Sequence, residues 1–136
     1  MPPSRIVETS LSVADLDRAR DFYVRIFGYS VMTSDERFCA FGVGPQQVLL
    51  LFLRGSDPES SVLPFGRIPP HGTSGAGHVG FGIPEATLPA WEAHLIENGV
   101  AIESRFTWPS GGTSIYFRDL DNHLLELLTP GVWPNY

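Results

Sequence analysis

The order of secondary-structure signals repeats in this chain, and the repeat constrains the fold more than any other feature. A strand pattern is followed by a helical pattern and three further strand patterns, and the same order then starts again. The first copy covers residues 6–13, 16–27, 29–33, 37–43 and 48–53, and the second covers 77–83, 86–98, 100–107, 113–118 and 124–129. The sequence therefore predicts an α+β fold of two βαβββ modules, whose curved mixed sheets enclose a cup that suits a ligand.

Capping and helix-breaking residues set the limits of the two predicted helices. Asp15 and Gly28 bound the first helix, and Pro84 and Gly99 bound the second. Segment 48–53 is apolar throughout, which predicts burial on both faces of that strand. Gly, Ser and Pro are abundant between the two copies, where a linker is expected. The predicted single domain of residues 1–136 comprises module one (1–54), a linker (55–75), module two (76–129) and a tail (130–136).

Composition and charge exclude several classes of protein. With 43% hydrophobic and 18% charged residues, the chain has the composition of a globular domain. All nine basic residues are arginines, scattered along a chain of net charge −6, which argues against a nucleic-acid partner. No apolar run approaches the roughly 20 residues that span a bilayer, and no signal-peptide pattern opens the chain. Together with the single cysteine, Cys39, these features predict a cytoplasmic protein without a membrane partner.

Three side chains stand out because the repeat aligns them. Glu8 and His78 lie in the first strand of each half, at the same interval before the helix start. Glu126 is centred in an apolar strand, where a lone carboxylate is expensive to bury, and Leu50 takes its place in the first half. An imidazole with two carboxylates suits a Mn, Fe, Ni, Co or Zn ion and leaves positions open for water and substrate.

Each of the three residues also has an ordinary structural interpretation. His78 would be a strand histidine bonded to a backbone carbonyl, and Glu8 would lie at an exposed edge. Glu126 would pair with Arg118 or Arg105 across neighbouring strands.

The turn before the last strand predicts a neighbour for Glu126. A symmetric turn over residues 119–123 pairs Tyr116 with Glu126 and Arg118 with Leu124. Because paired residues share a face of the sheet, Tyr116 would stand beside the carboxylate as an orienting group or an acid.

The other histidines divide into one candidate and two surface residues. His71 lies in the loop before the second half, from which it would reach the cup as a further metal ligand. The ordinary alternative is a solvated loop histidine. His94 and His123 are interpreted as surface residues, on a helix and in a turn.

Several short motifs carry a family resemblance. They are LSVADLDRA (11–19), FY (22–23) and FG (27–28) in the first half, and GHVGF (77–81), GV (99–100) and YFRDLDNHLLEL (116–127) in the second. Through these motifs, nearly the whole chain resembles the vicinal oxygen chelate superfamily. That superfamily includes glyoxalase I, fosfomycin-resistance enzymes, bleomycin-binding proteins and extradiol dioxygenases.

The resemblance also implies a set of ligand positions. Metal-using members take ligands from the first and last strands of each half, which assigns Glu8, Leu50, His78 and Glu126. Leu50 cannot coordinate a metal, so the four-ligand glyoxalase set is incomplete. The remaining three resemble the set of dioxygenase and fosfomycin-type members, with a carboxylate in place of one histidine.

The function implied by the resemblance is a glyoxalase-like metalloenzyme of lyase or isomerase type. A divalent ion (Zn, Ni, Mn, Fe or Co) would polarise adjacent oxygens of a small-molecule substrate, and Glu8 or Glu126 would move a proton. One alternative is a metal-free, bleomycin-resistance-type protein that binds a drug. A second alternative is an extradiol-type dioxygenase, whose two-histidine set would require His71.

The resemblance further implies a homodimer, because small members of the superfamily often complete their cups across a two-fold interface. Trp133 and Tyr136, the aromatic residues of the tail, would join that contact.

Overall fold

The computed structural model describes residues 1–56 and 61–136, which form two compact units, Met1–Gly75 and Ala76–Tyr136. The elements of the first unit are β1 (Glu8–Val13), α1 (Leu16–Phe27), β2 (Ser30–Ser34), β3 (Phe38–Gly44), β4 (Gln47–Leu53), β5 (Ser61–Leu63) and β6 (Gly66–Ile68). Those of the second unit are β7 (His78–Gly82), a 3-10 turn (Glu85–Thr87), α2 (Leu88–Glu97), β8 (Ser104–Thr107), β9 (Thr113–Arg118) and β10 (Leu124–Leu128).

Each unit contains a four-stranded mixed sheet with the same strand order. The order is β1-β4-β3-β2 in the first unit and β7-β10-β9-β8 in the second. In both sheets the first strand pairs parallel to the last, and the remaining pairs are antiparallel. The predicted fold class, α+β with two βαβββ modules of mixed sheets, is confirmed.

Helix α1 has the predicted limits because its caps satisfy the free backbone groups at both ends. The Asp15 carboxylate accepts the Arg18 N–H at 3.0 Å, and Gly28 closes the helix in the left-handed conformation with φ of 67°. The helix packs on β3 and β4, where the ring of Tyr23 lies 5.9 Å from that of Phe41. Its buried residues are Leu16, Ala19, Phe22, Tyr23 and Ile26.

The two faces of β4 differ in burial. Leu49 and Leu51 are buried, whereas Leu50 and Phe52 on the opposite face are half-buried. The prediction that this strand is buried on both faces is therefore wrong. Apolar residues on its second face line a cavity instead of a packed layer.

Other boundaries also differ from the sequence prediction. The segment expected to be a linker contains the β5–β6 hairpin, and its residues 57–60 lie outside the described residues. The strand expected over 100–107 begins only at Ser104. Val100 lies in the turn that closes α2, where its N–H donates to the Leu95 carbonyl at 2.8 Å. Within the described ranges, no helix combines the length and the apolar character needed to cross a membrane.

Candidate functional site

His78 and Glu126 meet on one face of the second sheet. Strands β7 and β10 run parallel, with Gly80 opposite Glu126 and His78 opposite Leu124. Residues two apart on a strand share a face, so His78 and Gly80 lie on the side of Glu126. His78 Nε2 lies 3.3 Å from Glu126 Oε2. The His78 side chain is 51% exposed, whereas that of Glu126 is only 9% exposed.

The second ring nitrogen of His78 fixes its tautomer. Nδ1 lies 2.9 Å from the backbone carbonyl oxygen of Leu124. A carbonyl oxygen only accepts hydrogen bonds, so Nδ1 carries the proton. In the neutral ring, Nε2 then presents a lone pair toward the Glu126 carboxylate, which is also an acceptor. Two hydrogen-bond acceptors 3.3 Å apart attract each other only through a proton or a metal cation that both of them bind. A backbone bond at one ring nitrogen, with the other ring nitrogen open, is typical of metal-binding histidines.

Tyr116 completes a cluster with these two residues. The β9–β10 register pairs Glu126 with Tyr116 and Leu124 with Arg118, which confirms the pairing predicted from the turn. The ring centroids of Tyr116 and His78 lie 6.4 Å apart. Burial, which has the largest effect, and the negative charge of Glu126 raise the pKa of Tyr116, and the Ser114 hydroxyl partly offsets them.

The arginines proposed as partners of Glu126 bind other carboxylates. Arg118 Nε donates to Glu103 at 2.7 Å, and Arg105 Nε donates to Glu92 at 2.8 Å. The predicted cross-strand pairing of Glu126 with Arg118 or Arg105 is therefore wrong. The buried carboxylate faces an imidazole instead.

His123 supports the strand that carries His78. Its side chain is buried, with 1% of the residue exposed, and its Nδ1 accepts the Gly77 N–H at 2.8 Å. The His123 N–H donates to the Asp119 carboxylate at 2.9 Å, which closes the turn. The interpretation of His123 as a surface residue is wrong, because its ring satisfies a backbone N–H at the start of β7. Asp119, four residues earlier, is the sequence signal for this closed turn.

A cavity of about 390 Å³ opens beside the His78–Glu126 pair. Its lining residues are His78, Gly80, Gly82, Glu126, Leu128, Trp133 and Tyr136. A Cβ at Gly80 would lie 3.1 Å from the Leu128 side chain and 3.5 Å from Glu126 Oε2. Glycine at this position therefore leaves room in front of the carboxylate.

The corresponding face of the first sheet is mainly apolar. A cavity of about 630 Å³ is lined by Glu8, Ser10, Asp35, Arg37, Phe38, Leu50, Phe52, Leu63, Ile68 and His71. The His71 ring contacts the edge of Phe52 at 4.3 Å between ring centroids. The loop that carries His71 is tied to β1, because the Ser12 and Thr73 hydroxyls lie 3.0 Å apart.

The register confirms the equivalence of Leu50 and Glu126. Leu50 pairs with Ser10 across β1–β4, and Glu126 pairs with Gly80 across β10–β7. Glu8 lies two residues before Ser10, just as His78 lies two residues before Gly80.

A larger open depression of about 830 Å³ at the start of α1 has a different character. Its polar lining is dominated by carboxylates, and no histidine belongs to it. Its members are Ala14, Asp15, Leu16, Asp17, Ser34, Asp35, Glu36, Arg37 and Leu53. This acidic depression lacks the imidazole–carboxylate pair on which the candidate site is built.

A family model agrees with this architecture. The model described as the Glyoxalase/Bleomycin resistance protein/Dioxygenase superfamily matches residues 5–127. The chain belongs to this superfamily. The family resemblance stated from the sequence motifs is confirmed.

Several proteins resemble this superfamily member along most of its length. Metallothiol transferase FosB of Shouchella clausii (strain KSM-K16) is 29% identical over 122 residues, covering 88% of this chain and 76% of that protein. The crystal structure of lactoylglutathione lyase from Agrobacterium tumefaciens is 32% identical with a TM-score of 0.89, covering 98% of this chain and 99% of that chain.

A further structure is similar in fold alone. It is a mutant of the fosfomycin resistance protein FosX from Listeria monocytogenes, complexed with Mn(II) and 1S,2S-dihydroxypropylphosphonic acid. It is 22% identical with a TM-score of 0.68, covering 93% of this chain and 90% of that chain.

In this superfamily member, the five candidate residues fall into two groups. His78, Glu126 and Tyr116 lie together in the second unit, and Glu8 and His71 line one cavity of the first unit. Within residues 1–56 and 61–136, no three His, Cys, Asp or Glu side chains form a ready-made metal cluster. The described donor set that fits a metal is thus the imidazole–carboxylate pair.

Proposed function

We propose that this protein is a small-molecule metalloenzyme of lyase or isomerase type, with His78 and Glu126 as metal ligands. The observation that supports the proposal is the facing pair of acceptors, Nε2 and Oε2, at 3.3 Å. The backbone bond at Nδ1 directs the Nε2 lone pair toward a shared cation. Burial of Glu126 adds to this argument, because a buried carboxylate needs a positive partner.

A divalent ion such as Mn, Fe, Ni, Co or Zn, when bound, would supply a Lewis acid that polarises adjacent oxygens of a small substrate. His78 and Glu126 would hold it through one nitrogen and one oxygen, a donor set that suits these metals. We propose Glu8 as a third ligand, because it holds in the first sheet the register position that His78 holds in the second. Leu50 offers no donor atom, so the remaining positions are left to water and substrate.

We propose two side chains for proton transfer in this function. Tyr116 stands opposite Glu126 and keeps its phenolic proton at neutral pH, so its hydroxyl is a donor for a substrate oxygen. Glu8, which lines a cavity with several apolar side chains, is the carboxylate proposed to take a proton from substrate.

The first unit favours an alternative function. Its cavity of about 630 Å³ combines Phe38, Phe52 and Leu50 with the acidic Glu8 and Asp35. Apolar walls with a few charged groups are typical of small-molecule binding sites. A metal-free, bleomycin-resistance-type drug-binding protein would use such a surface, and a chelator would leave its ligand affinity unchanged. The dioxygenase alternative would add His71 as a ligand, so that His71→Ala would lower the affinity for iron.

Metal titration of chelator-stripped protein tests the proposal. We expect the wild-type protein to bind about one Mn²⁺ per chain by calorimetry, and His78→Ala to weaken this binding by about 100-fold or more, since even outer-shell losses cost 10- to 100-fold. The matched control is His94→Ala, which removes a histidine of the same unit that contacts Trp91 and Asn98. Glu8→Gln should weaken binding less than His78→Ala, because an amide oxygen still coordinates.

Two outcomes would contradict the proposal. One is wild-type protein that binds none of the five candidate metals, measured by plasma mass spectrometry after dialysis. The other is equal Mn²⁺ affinity in the wild type and His78→Ala.

A further inference from the structure

The tail after β10 folds back on itself and does not extend from the unit. The Gly131 N–H donates to the main-chain oxygen of Tyr136 at 2.6 Å, and the Tyr136 N–H donates to the Trp133 carbonyl at 3.0 Å. Gly131 adopts φ of 103°, a conformation that favours glycine and allows this closed turn. The tail is thus a built element with its own hydrogen bonds.

Tyr136 fastens the tail to the sheet beside the candidate site. Its hydroxyl donates to the Leu128 carbonyl at 3.1 Å. The ring lies directly over Gly82, where an added Cβ would overlap the tyrosine hydroxyl. Gly82 therefore makes room for Tyr136 on the face of β7 that also carries His78.

The contacts of Tyr136 with β7 and β10 hold Trp133 at the same cavity. It lines the 390 Å³ cavity together with His78 and Glu126, and it remains 62% exposed. Tryptophan offers a large, rigid aromatic surface on which planar groups stack. The exposed indole beside the imidazole–carboxylate pair offers a stacking surface to one part of a ligand whose other part reaches the pair.

We propose that Trp133, positioned by Tyr136, is a specificity-determining residue that selects ligands with a planar unsaturated or aromatic group next to their metal-binding oxygens. This inference rests on the proposed metalloenzyme function and deepens it by naming the substrate class. Gly80 leaves room in front of the carboxylate, and Gly82 makes room for the Tyr136 ring. The tail thereby supplies the aromatic contact of Trp133 to this cavity.

Two chelators that differ in one group test this inference on the Mn²⁺-loaded protein. Benzohydroxamate and acetohydroxamate bind metals through the same two oxygens, but only the first carries a ring. We expect Trp133→Ala to lower the preference for benzohydroxamate over acetohydroxamate by about three- to tenfold, the range of an aromatic contact. Calorimetry of both chelators gives the ratio, and the affinity for acetohydroxamate should stay unchanged.

Two variants separate stacking from positioning. Trp133→Phe keeps an aromatic ring and should retain most of the preference. Tyr136→Ala should lower the preference in the same way as Trp133→Ala, because it removes the anchor and leaves the metal ligands in place. Tyr136→Phe, which loses only the hydroxyl bond to Leu128, should have a smaller effect.

The outcomes distinguish this inference from the proposed function. Wild-type protein that binds Mn²⁺ and both hydroxamates, with a preference unchanged in Trp133→Ala, overturns the inference and leaves the proposed function intact. Wild-type protein that binds no metal and neither chelator overturns the proposed function and the inference with it. If Trp133→Ala changes the oligomeric state by light scattering and weakens both chelators equally, Trp133 is a subunit contact and the inference is wrong.

Discussion

The two units of this chain share one sheet topology but carry different side chains at equivalent positions. Both sheets pair their first strand parallel to their last, in the same register. The three positions that cluster in the second unit have direct counterparts in the first. The pairs are His78 and Glu8, Glu126 and Leu50, and Tyr116 and Ala40.

Burial explains the residues of the first unit but not those of the second. Leu50 is half-buried and Ala40 is buried, and both apolar side chains need no explanation beyond burial. Glu126 occupies the same frame with a buried charge, and the effective penalty for burying an ion is several kcal/mol. A leucine is tolerated at the equivalent position of the first sheet, so the fold itself does not require the carboxylate. The site that includes His78 and Tyr116 is the reason we propose for it.

The largest expected effect comes from making the second unit resemble the first. Glu126→Leu removes a proposed ligand, so it should lower the affinity for Mn²⁺ by about 100-fold or more. Replacement of a whole buried ion pair by apolar residues is often neutral or stabilising by about 1–4 kcal/mol. Because the His78 side chain left behind is 51% exposed, Glu126→Leu should leave the metal-free protein at least as stable as the wild type. Calorimetry measures the first effect, and urea unfolding in the presence of a chelator measures the second.

Leu127→Ala, in the adjacent core position, is the control for this substitution. It should destabilise the protein by about 2–5 kcal/mol without a direct effect on metal affinity. Retention of wild-type Mn²⁺ affinity in Glu126→Leu would exclude this carboxylate as a ligand. The comparison between the two units would then reflect packing alone.

An intermediate effect should follow when the first unit is made to resemble the second. Leu50→Glu places a carboxylate at the vacant fourth ligand position that the family resemblance assigns. It should tighten Mn²⁺ binding by about tenfold, because added anionic ligands strengthen cation sites. Without metal it should cost about 1–3 kcal/mol, since Leu50 is half-buried beside apolar side chains.

Leu50→Gln has nearly the same shape as Leu50→Glu without the charge, and it should reproduce the cost in stability without the full gain in affinity. Equal or weaker Mn²⁺ binding in Leu50→Glu would contradict the assignment of this position.

Sequence patterns predicted the parts of the fold that local chemistry decides. Asp15 and Gly28 gave the limits of α1, because N-caps and left-handed glycines act within one helical turn. The symmetric turn gave the register that pairs Tyr116 with Glu126, and the strand alternation gave the equivalence of Leu50 and Glu126. These features depend only on neighbours along the chain or on the period of a strand.

The missed features depend on contacts between distant residues. The sequence around His123 predicts an exposed turn residue. Its ring is buried because it accepts a hydrogen bond from the Gly77 N–H, 46 residues away along the chain. Val100 looks like the start of a strand, but its N–H donates to the Leu95 carbonyl in the turn after α2. The sequence patterns also did not indicate that Trp133 and Tyr136 line the cavity beside His78, and the subunit contact expected for this tail stays a prediction. The homodimer itself stays a prediction.

The smallest expected effect concerns the proton of one tyrosine in each unit. Burial raises the pKa of Tyr29 in the first unit. In the second unit, burial and then the charge of Glu126 raise the pKa of Tyr116. A raised pKa means that the folded protein keeps the proton to higher pH than the unfolded chain does. Each tyrosine therefore contributes stability that is fully present below the unfolded pKa of about 10 and is lost as pH rises from there through the raised pKa of the folded protein.

Removing the charge of Glu126 should affect the pKa of only one of the two tyrosines. In metal-free protein, Glu126→Gln should lower the pKa of Tyr116 toward its ordinary value and leave that of Tyr29 unchanged, because only Tyr116 stands opposite Glu126. The burial component for Tyr116 should remain, so its pKa should stay above the ordinary value. Carbon NMR of the tyrosine Cζ atoms across alkaline pH measures both values, with Tyr29→Phe and Tyr116→Phe variants to assign the signals. An equal fall in both pKa values would instead indicate a general loosening of the fold. An unchanged pKa for Tyr116 would mean that the carboxylate does not act on the phenol, and the proton-donor role proposed for Tyr116 would lose its electrostatic support.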